Sequence, residues 1–536
     1  MKTLLPTVLL LTATCALAQP HDDPQHPAPE QLGQVHFDNS CQPAVGAAFD
    51  RAVALLHSFA FGTAKDAFEG VLADDPECAI AYWGIALTHW GNPFGGIKTG
   101  PLLESGRLAV AQGLATGSPT PRERAYLEAV GELYDSPATR DHATRTAAYE
   151  SAMAQVHARF PDDREAATFY ALSVNQMAAP TDKTFSKQLQ AAAILDALFA
   201  NDPEHPGLAH YLIHAYDHPP LADRGLDAAH RYASIAPAAP HALHMPSHTF
   251  TRVGAWQESI DTNLRSAASA LGSGSISEAL HAMDYQVYAY LQTGQDAAAL
   301  NVVNEAPQVL ALFDPAVMGG AAPPVAAFYA AAAIPARYAM ERGAWADAAA
   351  LTVRPTQFAH VDAITHFARA LGAARSGQPG AAEADIAALA TQRAKLEAAN
   401  DGYWTEQVRI QREIALAWNE FARGSRDDGL ARLVAAANAE DNTDKAAISP
   451  GPLVPARELV GEMLLEMQRP ADALAAFQAT LAKERNRFRA TALAAMAADQ
   501  TGDTALAAEY RTQLAQIARD GDRPGRPELA AARRGR

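Results

Sequence analysis

The residues in this chain best suited to chemistry are histidines, and they recur at a fixed interval. HALHMPSHTF, residues 241–250, carries His241, His244 and His248 at i, i+3 and i+7, which puts all three on one face of a helix. Upstream, HPGLAHYLIHAYDHPP carries His210 and His214, and the pairs His210/His214 and His244/His248 stand 34 residues apart. An i, i+4 pair on a helix spans one turn and chelates one ion, and imidazole suits copper, zinc or non-haem iron. Tyr211 and Met245 occupy the positions where the helical zinc-protease motif has its glutamate, so that hydrolytic reading is excluded.

Counted from the turn glycines Gly254 and Gly294, His281, Asp284 and Tyr288 fall in the same register as His241, His244 and His248. We expect His210, His214, His244 and His248 to share one transition metal ion, copper or zinc with iron also suitable, and His281 or Asp284 to complete its shell. Asp217 is the candidate acceptor for an imidazole N–H, with Tyr285 and Tyr288 as further outer partners. His205, His218 and His230 are less well placed. Affinity is expected to fall as pH drops through about 6.5, because protonated imidazole does not ligate. Two other readings of these residues stay open. One is a groove for a small-molecule or peptide ligand without metal, and the other is polar packing between related repeats.

The elements that must position these side chains are helices. Ala, Leu, Glu and Arg dominate, apolar residues recur at three and four, and short Gly or Pro breaks separate stretches of about twelve to sixteen residues. At six breaks a glycine is followed five residues later by a small residue: Gly254/Ser259, Gly294/Ala299, Gly343/Ala348, Gly377/Ala382, Gly424/Gly429 and Gly502/Ala507. That is the turn and close crossing of a two-helix repeat. The tetratricopeptide order of small residue, aromatic and proline fits Phe61, Ala64, Phe68 and Pro76, and again Gly461, Ala473 and Phe477. The fold class expected is therefore all-α, a tetratricopeptide-like helical-repeat solenoid. Irregular loops near 181–187, 314–324 and 438–455 divide it into repeats over 19–180, 181–312, 313–437 and 438–520, followed by a solvated tail, 521–536. The loop around Glu440, Asp441, Lys445 and Glu458 could fold back over the groove.

The first residues set the compartment. Lys2, the apolar run Leu4–Ala13 and the small-x-small triplet Ala16–Ala18 read as a signal peptide, 1–18, and hence as a periplasmic or secreted protein. In that oxidising setting Cys41 and Cys78 are expected to pair, each standing just before a helix. A net charge of -17 argues against a nucleic-acid partner. The uncharged stretch Pro315–Ala336 is broken by Gly319, Gly320, Pro323, Pro324 and Pro335, so no membrane span is expected.

The runs AYWGIAL, HPGLAHYLIHAYDHPPLA, APHALHMPSHTFTRVGAW, PGPLVPARELVGEMLLE and NRFRATALAAMAADQTGD resemble a large bacterial family of exported tetratricopeptide-repeat proteins. The resemblance spans nearly all of the mature chain. It implies the helical-repeat fold and an extracytoplasmic location, and it implies no particular reaction.

Overall fold

The computed structural model describes residues 30–98, 100–315 and 319–534. The expected signal peptide lies outside them. Among the described residues there are helices and loops but no strand. Successive helices pair in antiparallel fashion along the chain, as the turn glycines anticipate. All six adopt positive φ, from 65° to 101°, the left-handed region in which an L side chain is strained. Five residues on, Ser259, Ala299, Ala348, Ala382 and Ala507 are fully buried where two helices cross. A Cβ added to Gly429 would stand 2.7 Å from the Ala417 carbonyl oxygen.

A second packing rule links the two ends of the chain. Phe68 lies against Gly84, and Phe477 against Gly461; a Cβ on either glycine would approach the ring to 2.3 or 2.5 Å. The aromatic of one helix thus fills the notch left by a glycine on the next, which is how the tetratricopeptide order packs.

The array also curls back on itself. Trp256 Nε1 donates to the Asn486 carbonyl at 2.8 Å, Phe488 N–H to Gln292 Oε1 at 3.0 Å, and Arg485 pairs with Asp223 at 2.8 Å. Between these turns runs a fully buried ion network in which Arg487 bonds both Glu341 and Glu458. The helices Phe488–Thr501 and Ile276–Gln292 thereby become one wall.

Two expectations about the ends can be compared directly. Cys41 and Cys78 form a disulfide with Cα atoms 4.7 Å apart. The described residues from 521 to 534 are not a free tail. Pro527–Arg534 is a helix whose Leu529 is fully buried against Phe488 and Leu514, and Arg526 pairs with Asp296 at 2.6 Å. The basic composition of the tail hid the two apolar residues, Leu529 and Ala532, that dock it. No helix among the described residues is long and apolar enough to cross a membrane.

Candidate metal centre

Three consecutive repeat units supply the histidines. Pro206–Tyr216 carries His210 and His214, Pro240–His244 and Pro246–Val253 carry His241, His244 and His248, and Ile276–Gln292 carries His281. Proline opens each of the first three helices, where its missing N–H costs nothing. Pro246 has a further effect. It cannot donate to the preceding turn, so the expected single helix of HALHMPSHTF is two short helices that meet at Met245.

That break changes the grouping. Instead of one four-histidine site, the six imidazoles form two trios, His210/His214/His241 and His244/His248/His281, each with its ligand atoms within 4.8 Å of one another. All six residues are buried. The trios adjoin: ring centroids are 6.1 Å apart for His214 and His248, and 6.0 Å for His241 and His244. His241, on the stripe but not counted as a ligand from sequence, takes the place by His210 that the 34-residue period gives to His244.

Hydrogen bonds on the far side of the rings fix the tautomers. His210 Nδ1 donates to the carbonyl of His57 at 2.6 Å, and His248 Nδ1 donates to Asp217 Oδ2 at 2.9 Å. His244 Nδ1 donates to Asn263 Oδ1 at 2.7 Å, the amide being oriented by its own Nδ2 bond to the Ser259 carbonyl. With Nδ1 carrying the proton, Nε2 of each of these rings presents a lone pair. In the first trio, His210 Nε2 stands 3.2 Å from both His214 Nε2 and His241 Nε2. In the second, His244 Nε2 and His248 Nε2 are 3.1 Å apart with no proton between them. Ligands about 2.0 Å from a tetrahedral ion stand about 3.3 Å apart, close to these spacings.

Five of the six rings are held neutral. Burial, reinforced by neighbouring imidazoles, takes His210, His214 and His244 well below their ordinary pKa, and lowers His248 to about 4 and His281 to about 3. Although burial opposes it, Lys445 and Arg252 hold the Asp217 carboxyl well below its usual range. Arg252 Nε and Lys445 Nζ each lie 2.8 Å from that carboxylate, so His248, Arg252 and Lys445 converge on one side chain. Glu278, a carboxylate sequence reading did not single out, lies 3.6 Å from His241 Nδ1 and accepts the Ala322 N–H at 2.9 Å.

Asp217 thus stands where it was expected, and so does Tyr285, whose hydroxyl is 3.3 Å from His248 Nε2. Two expected residues do not reach the centre. The Asp284 carboxylate is committed to the buried guanidinium of Arg337 at 2.8 Å, one turn further along its helix face than the ligands. Tyr288 lies beneath the same guanidinium, and its hydroxyl accepts from Arg487 at 3.3 Å. A shared register position placed them on the stripe, but the local partner of each is an arginine from a remote repeat, which no spacing reveals.

A third cluster, His57, Glu165 and His205, looks similar but is self-satisfied. His205 Nδ1 accepts the Leu208 N–H at 3.3 Å, so its Nε2 donates to Glu165 at 2.9 Å. His57 donates to the other carboxylate oxygen at 2.9 Å and accepts from Tyr211 at 3.0 Å. Every ring nitrogen has a proton partner, and the cluster holds rigid the His57 carbonyl that orients His210.

Loops from three parts of the chain roof the trios. Phe94 packs on His214 with ring centroids 4.4 Å apart, and its loop is tied to the next by Asn92 Nδ2 donating to the Ala321 carbonyl at 2.9 Å. The third loop, open in sequence between a solvated connection and a fold-back, folds back, placing Lys445, only 5% exposed at its side chain, beside Tyr285.

Neither a family model nor a curated protein matches this sequence. Among solved structures, the chain is similar to a human IFIT1 dimer with m7Gppp-AAAA, at 10% identity and TM-score 0.39, over 91% of this chain and 98% of that one. It is similar also to the APC/C hetero-tetramer Cut9–Hcn1, at 10% identity and TM-score 0.28, over 91% and 95% of the two chains.

Proposed function

We propose that this is an exported helical-repeat metalloprotein whose two adjoining histidine trios each bind one transition metal ion, copper or zinc, with iron compatible with the same imidazoles. The observation that supports it most is the pair His244 and His248. Two buried ring nitrogens, each with its proton committed elsewhere, face one another at 3.1 Å, an arrangement of opposed lone pairs that a cation relieves. Carboxylate and carbonyl partners on Nδ1 are what metal-ligating histidines characteristically have, and they raise ligand basicity. The disulfide at Cys41 and Cys78 and the signal-like N-terminus support export.

Three imidazoles leave an ion a further position for water or substrate, from which a bound metal supplies Lewis acidity and, if copper or iron, electron transfer. The chain's own part is to hold six imidazole donors in a buried space and to set the tautomers of His210, His244 and His248 from outside. A peptide-binding scaffold, the competing reading, uses the same polar residues without metal.

Elemental analysis of tag-free protein separates the two. The wild type should carry two ions per chain and the His244→Ala/His248→Ala double variant one, with a lower Tm that no longer responds fully to a chelator. Equal traces of metal in both proteins, and identical melting with and without chelator, would leave the scaffold reading standing and end the metal one.

A further inference from the structure

The two trios differ in what closes them. Around the first, Phe59 lies 4.4 Å from His210 and 5.8 Å from His241, Phe94 lies on His214, and Tyr232 and Tyr211 each lie 5.2 Å from His210; the phenylalanines have no atom that can ligate, the Tyr211 hydroxyl is bonded to His57, and the Tyr232 hydroxyl makes no hydrogen bond to any of the three histidines. Beside the second stands a phenol. Tyr285 sits one turn beyond His281 on the same helix, and its hydroxyl oxygen is 3.3 Å from His248 Nε2, the separation of neighbouring ligands on a tetrahedral ion. Its ring packs against His244 and His281 as well, with centroids 4.7 and 5.3 Å apart.

We infer that Tyr285 is the fourth ligand of the ion held by His244, His248 and His281, making that site a closed three-histidine, one-phenolate centre while the His210/His214/His241 site keeps an open position. This deepens the metal reading above and rests on it. Closed four-coordinate sites are the structural kind and sites with an exchangeable position are the reactive kind, so the inference assigns substrate or water to the first ion alone.

The surroundings of the oxygen fit such a role. In the metal-free state the single hydroxyl proton has the carbonyls of Ala447 and Ser449 within reach, at 3.3 and 3.2 Å, which anchors the loop over the site. Burial raises its pKa well above the ordinary value. A cation beside the oxygen reverses that preference, as metal ions do for coordinated thiols and water. Lys445 Nζ, 3.5 Å away, adds a second positive neighbour for the phenolate. On loading, the O–H bond breaks, the oxygen bonds the ion with its own electron pair, and the proton leaves to the buffer. The carbonyls lose the one proton within their reach and the loop is released from it.

The test uses full-length protein loaded with copper(II) as the probe. The wild type should bind two ions per chain and show a visible phenolate-to-copper charge-transfer band, with ring vibrations of tyrosine enhanced in resonance Raman spectra excited in that band. Tyr285→Phe should keep the first ion, bind the second at least tenfold more weakly and lose the band. His210→Ala should lose one ion and keep it. Resonance Raman on the unaltered protein reads the same bond should the Phe variant fail to fold. A wild type that binds two copper ions without tyrosine-enhanced modes, or a band unchanged in Tyr285→Phe, overturns the phenolate ligand and leaves the two trios intact. A wild type that binds no copper overturns the metal reading itself.

Discussion

A single carboxylate carries more of this site than any one histidine. Asp217 caps the helix Pro206–Tyr216, accepts the His248 Nδ1 proton and pairs with both Arg252 and Lys445. Replacing it with Asn keeps the shape and removes the charge. Asp217→Asn should therefore weaken the second ion by about 10- to 100-fold in a competition titration with a chelating dye. It should also lower Tm, because two buried cations lose the carboxylate that both of them pair with. An unchanged titration would mean that His248 does not ligate through Nε2. The histidines themselves were legible because they repeat: a 34-residue interval and an i, i+4 spacing need no structure to be seen. Asp217 was legible through its place just after His214. Lys445, Arg252 and Asn263 were not assigned to the centre, since each reaches it from a different repeat and ordinary surface or helix composition gives no sign of that. Asp284 shows the converse: its register was right and its partner, Arg337, decided against it.

At the scale of the element, glycine positions decide how close two helices come. Gly461→Ala would drive a methyl group into the Phe477 ring, since the added Cβ stands 2.5 Å from it, and should cost about 1–3 kcal/mol. Gly70, exposed within the helix Phe61–Asp74, has nothing within 4 Å of its would-be Cβ. Gly70→Ala should stabilise by about 0.5–1 kcal/mol through helix propensity alone. Urea melts of the two variants check the opposite signs. One missed boundary has a local cause. Pro246 stands within a run whose periodicity continues unbroken, so the split into two helices is written in one imino acid and not in the pattern. Another element-scale device is Glu440, which accepts the first N–H of the helix Ala456–Glu466 at 2.7 Å and so ties both ends of the loop over the site. Burial raises its pKa to about 7. A raised carboxyl favours the fold when protonated. That contribution is whole below the unfolded value of about 4.3 and is lost as pH rises through about 7. Glu440→Gln, which keeps the acceptor and never ionises, should melt above the wild type at pH 8 and level with it near pH 4. The same gap at both pH values would show that the carboxylate stays ionised throughout.

Across the whole molecule, the proposed centre would couple metal retention to global folding. His210, His214 and His244 are held well below their ordinary pKa by burial, and His248 and His281 lie at about 4 and 3. In the unfolded chain these rings return to about 6.5. A depressed folded value means stability is fully present above about 6.5 and is lost as pH falls towards the folded value, with a slope of about 1.4 kcal/mol per pH unit for each such histidine. Bound metal would add stability to the folded state alone and so carry the transition to lower pH. The ligands come from three successive repeats whose walls are locked by the Arg487 network and by Trp256 on Asn486, so one ring cannot swing out to be protonated without opening the array. The simple expectation of metal loss through about 6.5, drawn from the free imidazole, therefore gives way to another: metal stays bound below pH 6 and leaves together with the helices. Helical circular dichroism and released metal, followed on one acid titration, should trace a single coincident transition. Metal release near pH 6 with the helical signal intact would show that the trios open locally, and that the buried network does not hold them.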